Sequence, residues 1–190
     1  VLSSIGQIGG NIRTSIQQDL PDVAPSYFFI DIQKSQMPEF RQIMETDKDV
    51  TSFDEAPMIR GIISRINGMP AKEYAGDHWV LRGDRGLTYS SKPLERSKIT
   101  EGVWWEPGYE GPAQISFAEE EGKEMGLSLG DELTVNIMGR DINATITSFR
   151  DVDFSTAGIG FIMSMNPHAL QNAPHSFIST VYADPKAEAE

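Results

Sequence analysis

The stretch SFAEEEGKEMGLSLGDELTVNIMGRDINATITSFRDVD, from Ser116 to Asp153, decides the reading of the fold, because it spells a helix, a tight turn and a β-hairpin in succession. Ser116 stands three residues before Glu119, the spacing of a capping box in which each side chain satisfies the other's free backbone donor, and this predicts a helix starting at Ser116. Phe117, Ala118, Gly122 and Met125 share one face at helical spacing, and Gly126 follows at the place where a helix ends most easily on glycine. Leu127-Ser128-Leu129-Gly130-Asp131 then turns the chain into Leu133, Val135 and Ile137, which alternate with Thr134, Asn136 and Met138 as a half-buried strand must. Gly139-Arg140-Asp141 reverses it, and Ile142, Ala144 and Ile146 return at the same period of two, running on through Phe149 and Val152. Gly130 swings the chain from helix to strand within a few residues, so it is expected in a backbone conformation costly for other residues.

Upstream, Ser26 to Ile32 is rich in aromatic and β-branched residues and reads as a buried strand. Pro38 opens a short helix through Phe40, Ile43 and Met44. A long extended segment begins near Val50 and carries Ile59, Ile62, Ile63 and Ile66 to the turn Asn67-Gly68. Together these make a β-α-β unit. Downstream the pattern recurs: Gly160 to Met165 as strand, Asn166-Pro167 as N-cap and first helical residue, and Ser176 to Tyr182 as strand. The two are read as related lobes. Between them, Pro70 to Thr100 is polar and turn-rich, with short strands such as His78-Trp79-Val80-Leu81 and no core signal. Lys98 to Trp105 leads through the Pro107-to-Pro112 loop into the helix and hairpin. At the N-terminus, Leu2, Ile5, Ile8, Ile12, Ile16 and Leu20 recur every three or four residues, the stripe of an amphipathic helix, before Pro21-Asp22-Val23-Ala24-Pro25 breaks it. Residues 185–190 read as a polar linker.

Composition narrows the function. At 190 residues and 39% hydrophobic content the chain buries one good core or two small ones. A formal net charge of −12 argues against nucleic acid as a partner, which needs a basic footprint. With no cysteine, disulfides and thiolate metal sites are excluded. The sequence shows neither a signal-peptide pattern nor an apolar run of membrane-spanning length, and it reads as a piece of something larger.

Catalysis finds no support. A hydrolase or metal enzyme needs a nucleophile beside a base, paired carboxylates, or clustered histidines. His78, His168 and His175 form no HExxH pattern, and only a long-range gathering with Asp77 would make a zinc site. Neither a Gly-x-Ser-x-Gly elbow nor a Walker loop is present, and Gly6-Gln7-Ile8-Gly9-Gly10 lacks the preceding strand that a dinucleotide fingerprint requires. Trp104 and Trp105 are adjacent, so in a strand they face opposite ways, one in the core and one at the edge. Phe154, Phe161, Met163 and Met165 read as core before they read as an adaptable groove. No catalytic, cofactor-binding or metal-ligating residue is assigned.

Four short motifs carry a resemblance: Arg60 to Met69, Gly102-Val103-Trp104-Trp105, Met125 to Asp131, and Ser148 to Asp153. Their order and spacing resemble the extracytoplasmic domain of FtsX/MacB-type ABC transporter permeases, most of all the YbbP-like branch associated with lysophospholipase or arylesterase genes, from Pro21 to about Ala183. The resemblance implies an α+β fold in which a porter-like lobe of two β-α-β units, residues 21–67 and 149–184, is interrupted by a small β-rich Sabre-like insert, residues 68–148. Residues 1–20 are then a juxtamembrane helix extending the first transmembrane segment. It also implies a non-catalytic domain on the periplasmic side of the bacterial inner membrane, within a multi-pass protein, without cofactors. Its partners are a cytoplasmic ATP-binding subunit, a second permease copy and a periplasmic client such as a lipid or lipoprotein. The rival readings are a periplasmic ligand-binding module using Trp104 or Trp105, and a secreted hydrolase.

Overall fold

A strand long enough to serve two sheets organises the molecule: Val50–Ile66 (β2) runs for 17 residues. The computed structural model describes residues 24–94, 97–154 and 159–184. Over residues 50–58, β2 pairs antiparallel with Ser176–Ala183 (β10), which pairs in turn with Tyr27–Ile32 (β1), giving a three-stranded sheet. Met37–Thr46 (α1) lies against it, with Phe40 packed edge-on between Phe29 and Phe53.

The second half of β2 belongs to a barrel. Residues 59–61 pair with Arg85–Tyr89 (β4) and residues 62–66 with Glu132–Ile137 (β7). From β4 the ladder passes to Met163–Met165 (β9), to Gln114–Ala118 (β6), to Arg140–Asp151 (β8) and back through β7 to β2, a closed ring of six strands. The β4–β9 and β6–β8 pairs are parallel and the rest antiparallel. Lys98–Gly102 (β5) extends β8 outside the ring, and Met69–Pro70 (β3) folds back on β2 across Asn67-Gly68, both at positive φ as a tight turn requires. Ile59, Ile66, Leu87, Ile115, Phe117, Leu133, Val135, Ile146, Met163 and Met165 are almost wholly buried in one cluster. Each such side chain contributes about 1.5–3 kcal/mol of burial free energy, and the closed ring leaves its strands no exposed long edge.

The capping box at Ser116 does not form. Gln114–Ala118 is a strand held between β9 and β8, and the helix starts at Glu119, running to Glu124 (α3), with Ala118 as N-cap and no side-chain cap. Ser116 is buried in the ladder, its hydroxyl without a hydrogen-bond partner among the described residues. Pairing on both edges and burial of Ile115 and Phe117 outweigh a cap signal worth about 1 kcal/mol. The far end of the helix is as read: Leu127 N–H donates to Gly122 O (2.8 Å) and Gly126 N–H to Lys123 O (3.1 Å), the two bonds of a Schellman motif. Gly130, at φ +90°, donates to Ile146 O (2.9 Å) and pins the turn onto β8.

The hairpin turns one residue earlier than expected, at Met138-Gly139 (φ +51° and +85°), with Ile137 opposite Arg140 and Asn136 Oδ1 accepting from Gly139 N–H. Arg140 and Asp141 therefore open the return strand. A register shift at Thr147 places Phe149 inward after Ala144 and Ile146.

The β1, α1 and β2 elements lie where the sequence placed them, but β1 is the outermost strand and exposed, Phe28 by 50% and Ile30 by 68%, rather than buried. In the C-terminal pattern, Asn166 and Pro167 open Pro167–Leu170 (α4) as read, with Asn166 Oδ1 spent on Gln114 N–H (2.9 Å) instead of the helix. Its two strands go to different sheets: β9 sits in the barrel and β10 beside β1. Within Pro70 to Thr100, Ala71–Ala75 forms a short helix (α2), and Trp79–Leu81 is a 3-10 turn rather than a strand. Val80, Leu87 and Thr88 there are fully buried, so the segment carries core after all. The helix read over Val1 to Leu20 and the linker at 185–190 lie outside the described residues.

Candidate interaction surfaces

Two of the three histidines are occupied structurally. His78 Nδ1 accepts from Val80 N–H (3.3 Å), capping the 3-10 turn, which leaves its Nε2–H to donate to Glu124 (2.6 Å). His175 Nδ1–H donates to Ala173 O (2.6 Å), and its Nε2 accepts the Tyr89 hydroxyl proton (3.2 Å). Burial pushes the Tyr89 hydroxyl above its ordinary value, which keeps it a donor. Asp77 holds Arg82. Among the described residues no three imidazole or carboxylate groups stand close enough together to hold a metal ion.

Trp105 is 5% exposed and Trp104 half-buried, one core and one edge as read, but for a different reason. The strand β5 ends at Gly102, so the two indoles need not alternate. They stack with centroids 4.0 Å apart and donate to Ser90 O and Ser91 O. Phe161, Met163 and Met165 are core, while Phe154 is exposed and meets Trp79 edge-on at 6.2 Å. The Arg85 guanidinium lies 5.0 Å above the same indole.

Two concavities flank His168 on α4. The smaller, about 130 Å³, is walled by Trp105, Tyr109, Glu106 and Glu110. The larger, about 410 Å³, is walled by Arg140, Asp141, Ile142, Asn172 and Ala173. A third, of about 270 Å³, opens between Tyr27, Phe29, Met44, Val50 and Val181 at the foot of the three-stranded sheet. Ser91 and His168 both line the smaller one, and no hydrogen bond joins them among the described residues.

The residue that sequence reasoning passed over is Arg150. It is 1% exposed, and its guanidinium donates to Ser116 O (2.7 Å), Ile162 O (3.4 Å) and Phe161 O. It ties β6 to the segment entering β9. Burial lowers its pKa to about 9, opposed by the charge of Glu121, so the group is cationic at neutral pH. Burial likewise raises the Glu121 carboxyl, with Glu120 and Glu124 adding to it. The only signal in the sequence was a cation in mid-strand between Phe149 and Val152.

No family model matches the chain. A crystal structure of a permease-protein domain from Porphyromonas gingivalis covers 76% of this chain and 66% of its own at 14% identity and a TM-score of 0.39, a likeness too loose to transfer residues. The uncharacterized ABC transporter permease YbbP of Escherichia coli (strain K12) is 25% identical over 173 residues, which is 90% of this chain and 20% of that permease. The permease resemblance is thus borne out: the chain is similar, along nine-tenths of its length, to one fifth of an ABC transporter permease.

Proposed function

We propose that the chain is the extracytoplasmic domain of an ABC transporter permease, a non-catalytic part that passes ATP-driven motion of transmembrane helices to a periplasmic client. The observation that carries this, beside the permease likeness, is where the chain enters and leaves. Ser26 N–H donates to Val181 O (2.9 Å) and Ala183 N–H to Ser26 Oγ (3.2 Å), so both ends of the described residues meet at one corner. A domain hung between two membrane-crossing helices needs that arrangement. Among the described residues no helix is itself long and apolar enough to cross a membrane.

In this reading the porter-like lobe, residues 21–67 and 149–184, holds the three-stranded sheet at the membrane side. The insert, residues 68–148, supplies β4, β6, β7 and most of β8 to the barrel farther out. The ATPase is a separate cytoplasmic subunit, a second permease copy completes the transporter, and the client is a lipid, lipoprotein or exported molecule.

Met138, 80% exposed at the hairpin tip, is the reporter position. In the full-length permease with its ATPase, Met138→Cys should react with a membrane-impermeant maleimide on intact cells. Spin labels at that position in two copies should change separation on ATP turnover. Labelling only after lysis would overturn the location, and a separation indifferent to ATP would overturn the coupling.

A further inference from the structure

Of the three concavities, the one between the β7–β8 hairpin and the segment joining α4 to β10 reaches, at about 410 Å³, the roughly 300–1,000 Å³ span of small-molecule sites. Ile137 and Ile142 of the hairpin make one apolar wall, and Ala169 and Ala173 make the other. Ile142, Ala169 and Ala173 pack on the barrel core, which fixes both walls. The adjoining turns are held as well. Asn136 Oδ1 accepts from Gly139 N–H (3.1 Å) at the head of β8, and Ala173 N–H donates to Leu170 O (2.9 Å) while Ala173 O accepts from His175 Nδ1–H (2.6 Å). Alanine at both positions of the second wall is what leaves the space open.

The polar groups around this space are mostly unspent donors. Arg140 enters no ion pair among the described residues. The imidazole of His168 and the amide of Asn172 likewise have no hydrogen-bond partner there. Asp141 is the one opposing charge, and its carboxylate is engaged by Asn136 Nδ2 (2.8 Å). We propose that this concavity binds a small amphiphilic anion, a carboxylate or phosphate monoester carried on a short aliphatic body. The head meets the Arg140 guanidinium, whose planar fork matches two oxygens of either group, with the N–H donors of His168 and Asn172 beside it. The aliphatic part lies against the two isoleucines and the two alanines. The smaller concavity across His168 rejects the same ligand, because Glu106 and Glu110 wall it and neither lysine nor arginine lines it. The proposal does not rest on the permease reading.

Amide NMR titrations of the 190-residue chain with octanoate, octyl phosphate and octyltrimethylammonium test it, the last being the control for charge. Saturable shifts with an anion should centre on Ile137, Ile142, Asn172 and Ala173 and leave Gly108 and Tyr109 of the smaller concavity unmoved, and the ammonium should cause none at these positions. Tighter binding of octanoate marks a fatty acid as the ligand and tighter binding of octyl phosphate a lipid phosphate, and either sustains the site. Arg140→Gln, at an exposed position, should keep the fold and weaken the anion at least about tenfold, the loss of one charged hydrogen-bonding partner. Ala173→Leu, which fills the space and leaves the charge in place, should weaken it as well. Equal shifts with the ammonium, no saturable shift with either anion, or wild-type affinity in Arg140→Gln overturns the proposal.

Discussion

Arg150 shows how much one side chain holds at the residue scale. Its fork of donors reaches the carbonyls of Ser116 on β6 and of Phe161 and Ile162 on the segment entering β9, so truncation leaves a cavity and takes a donor from each of these buried acceptors. Arg150→Ala should lower stability by about 3–5 kcal/mol, and Arg150→Lys should fall between it and wild type, because a single ammonium cannot reproduce the fork. Urea midpoints decide it, and an unchanged midpoint for the alanine variant would mean the carbonyls find other partners. Two glycines make a second pair. At Gly130 a side chain meets open space but an unfavourable φ, so Gly130→Val should cost about 1–3 kcal/mol. At Gly102 the φ of +77° is joined by a collision, for an added Cβ would lie 2.2 Å from Thr147 O, whose carbonyl also takes the Val103 N–H. Gly102→Ala should therefore cost more than Gly130→Val, and the reverse order in parallel denaturation curves would refute the contact.

Elements held by local chemistry were legible in the sequence, and elements held by distant pairing were not. The hairpin of β7 and β8, the length of β2 and the Asn166-Pro167 start of α4 all follow from alternation or turn residues close by. The strand β6 was hidden behind a capping signature, because only its two partners, one 31 or 32 residues away along the chain in β8 and one in β9, make it a strand. Exposure of β1 and closure of the barrel were likewise invisible, since both depend on which strand ends the order. The candidate surfaces were not legible, because Arg150 and the concavities around His168 are created by packing. A consequence attaches to β4. Replacing Pro70 to Thr100 with a short linker, which the polar composition invites, removes a barrel strand containing Leu87 and Thr88. The shortened chain should lose cooperative thermal unfolding, and a retained sharp transition would show that the ring closes without β4.

For the whole molecule, the sharing of β2 means that neither sheet can open without exposing the other's partner strand. Hydrogen exchange at β10 and at β8 should then report the same global opening free energy, and well-separated values would divide the molecule into two units. The meeting of Ser26 with Val181 and Ala183 has a further meaning for any protein that carries this domain. Loop-closure entropy grows with the separation that a connecting segment must hold between its ends. Here the folded residues present the flanking chain with a gap no wider than neighbouring strands, as a hairpin turn would. The carrier thus bears the constraint of a very short loop, and the fold can be moved between hosts as a single graft at one surface position.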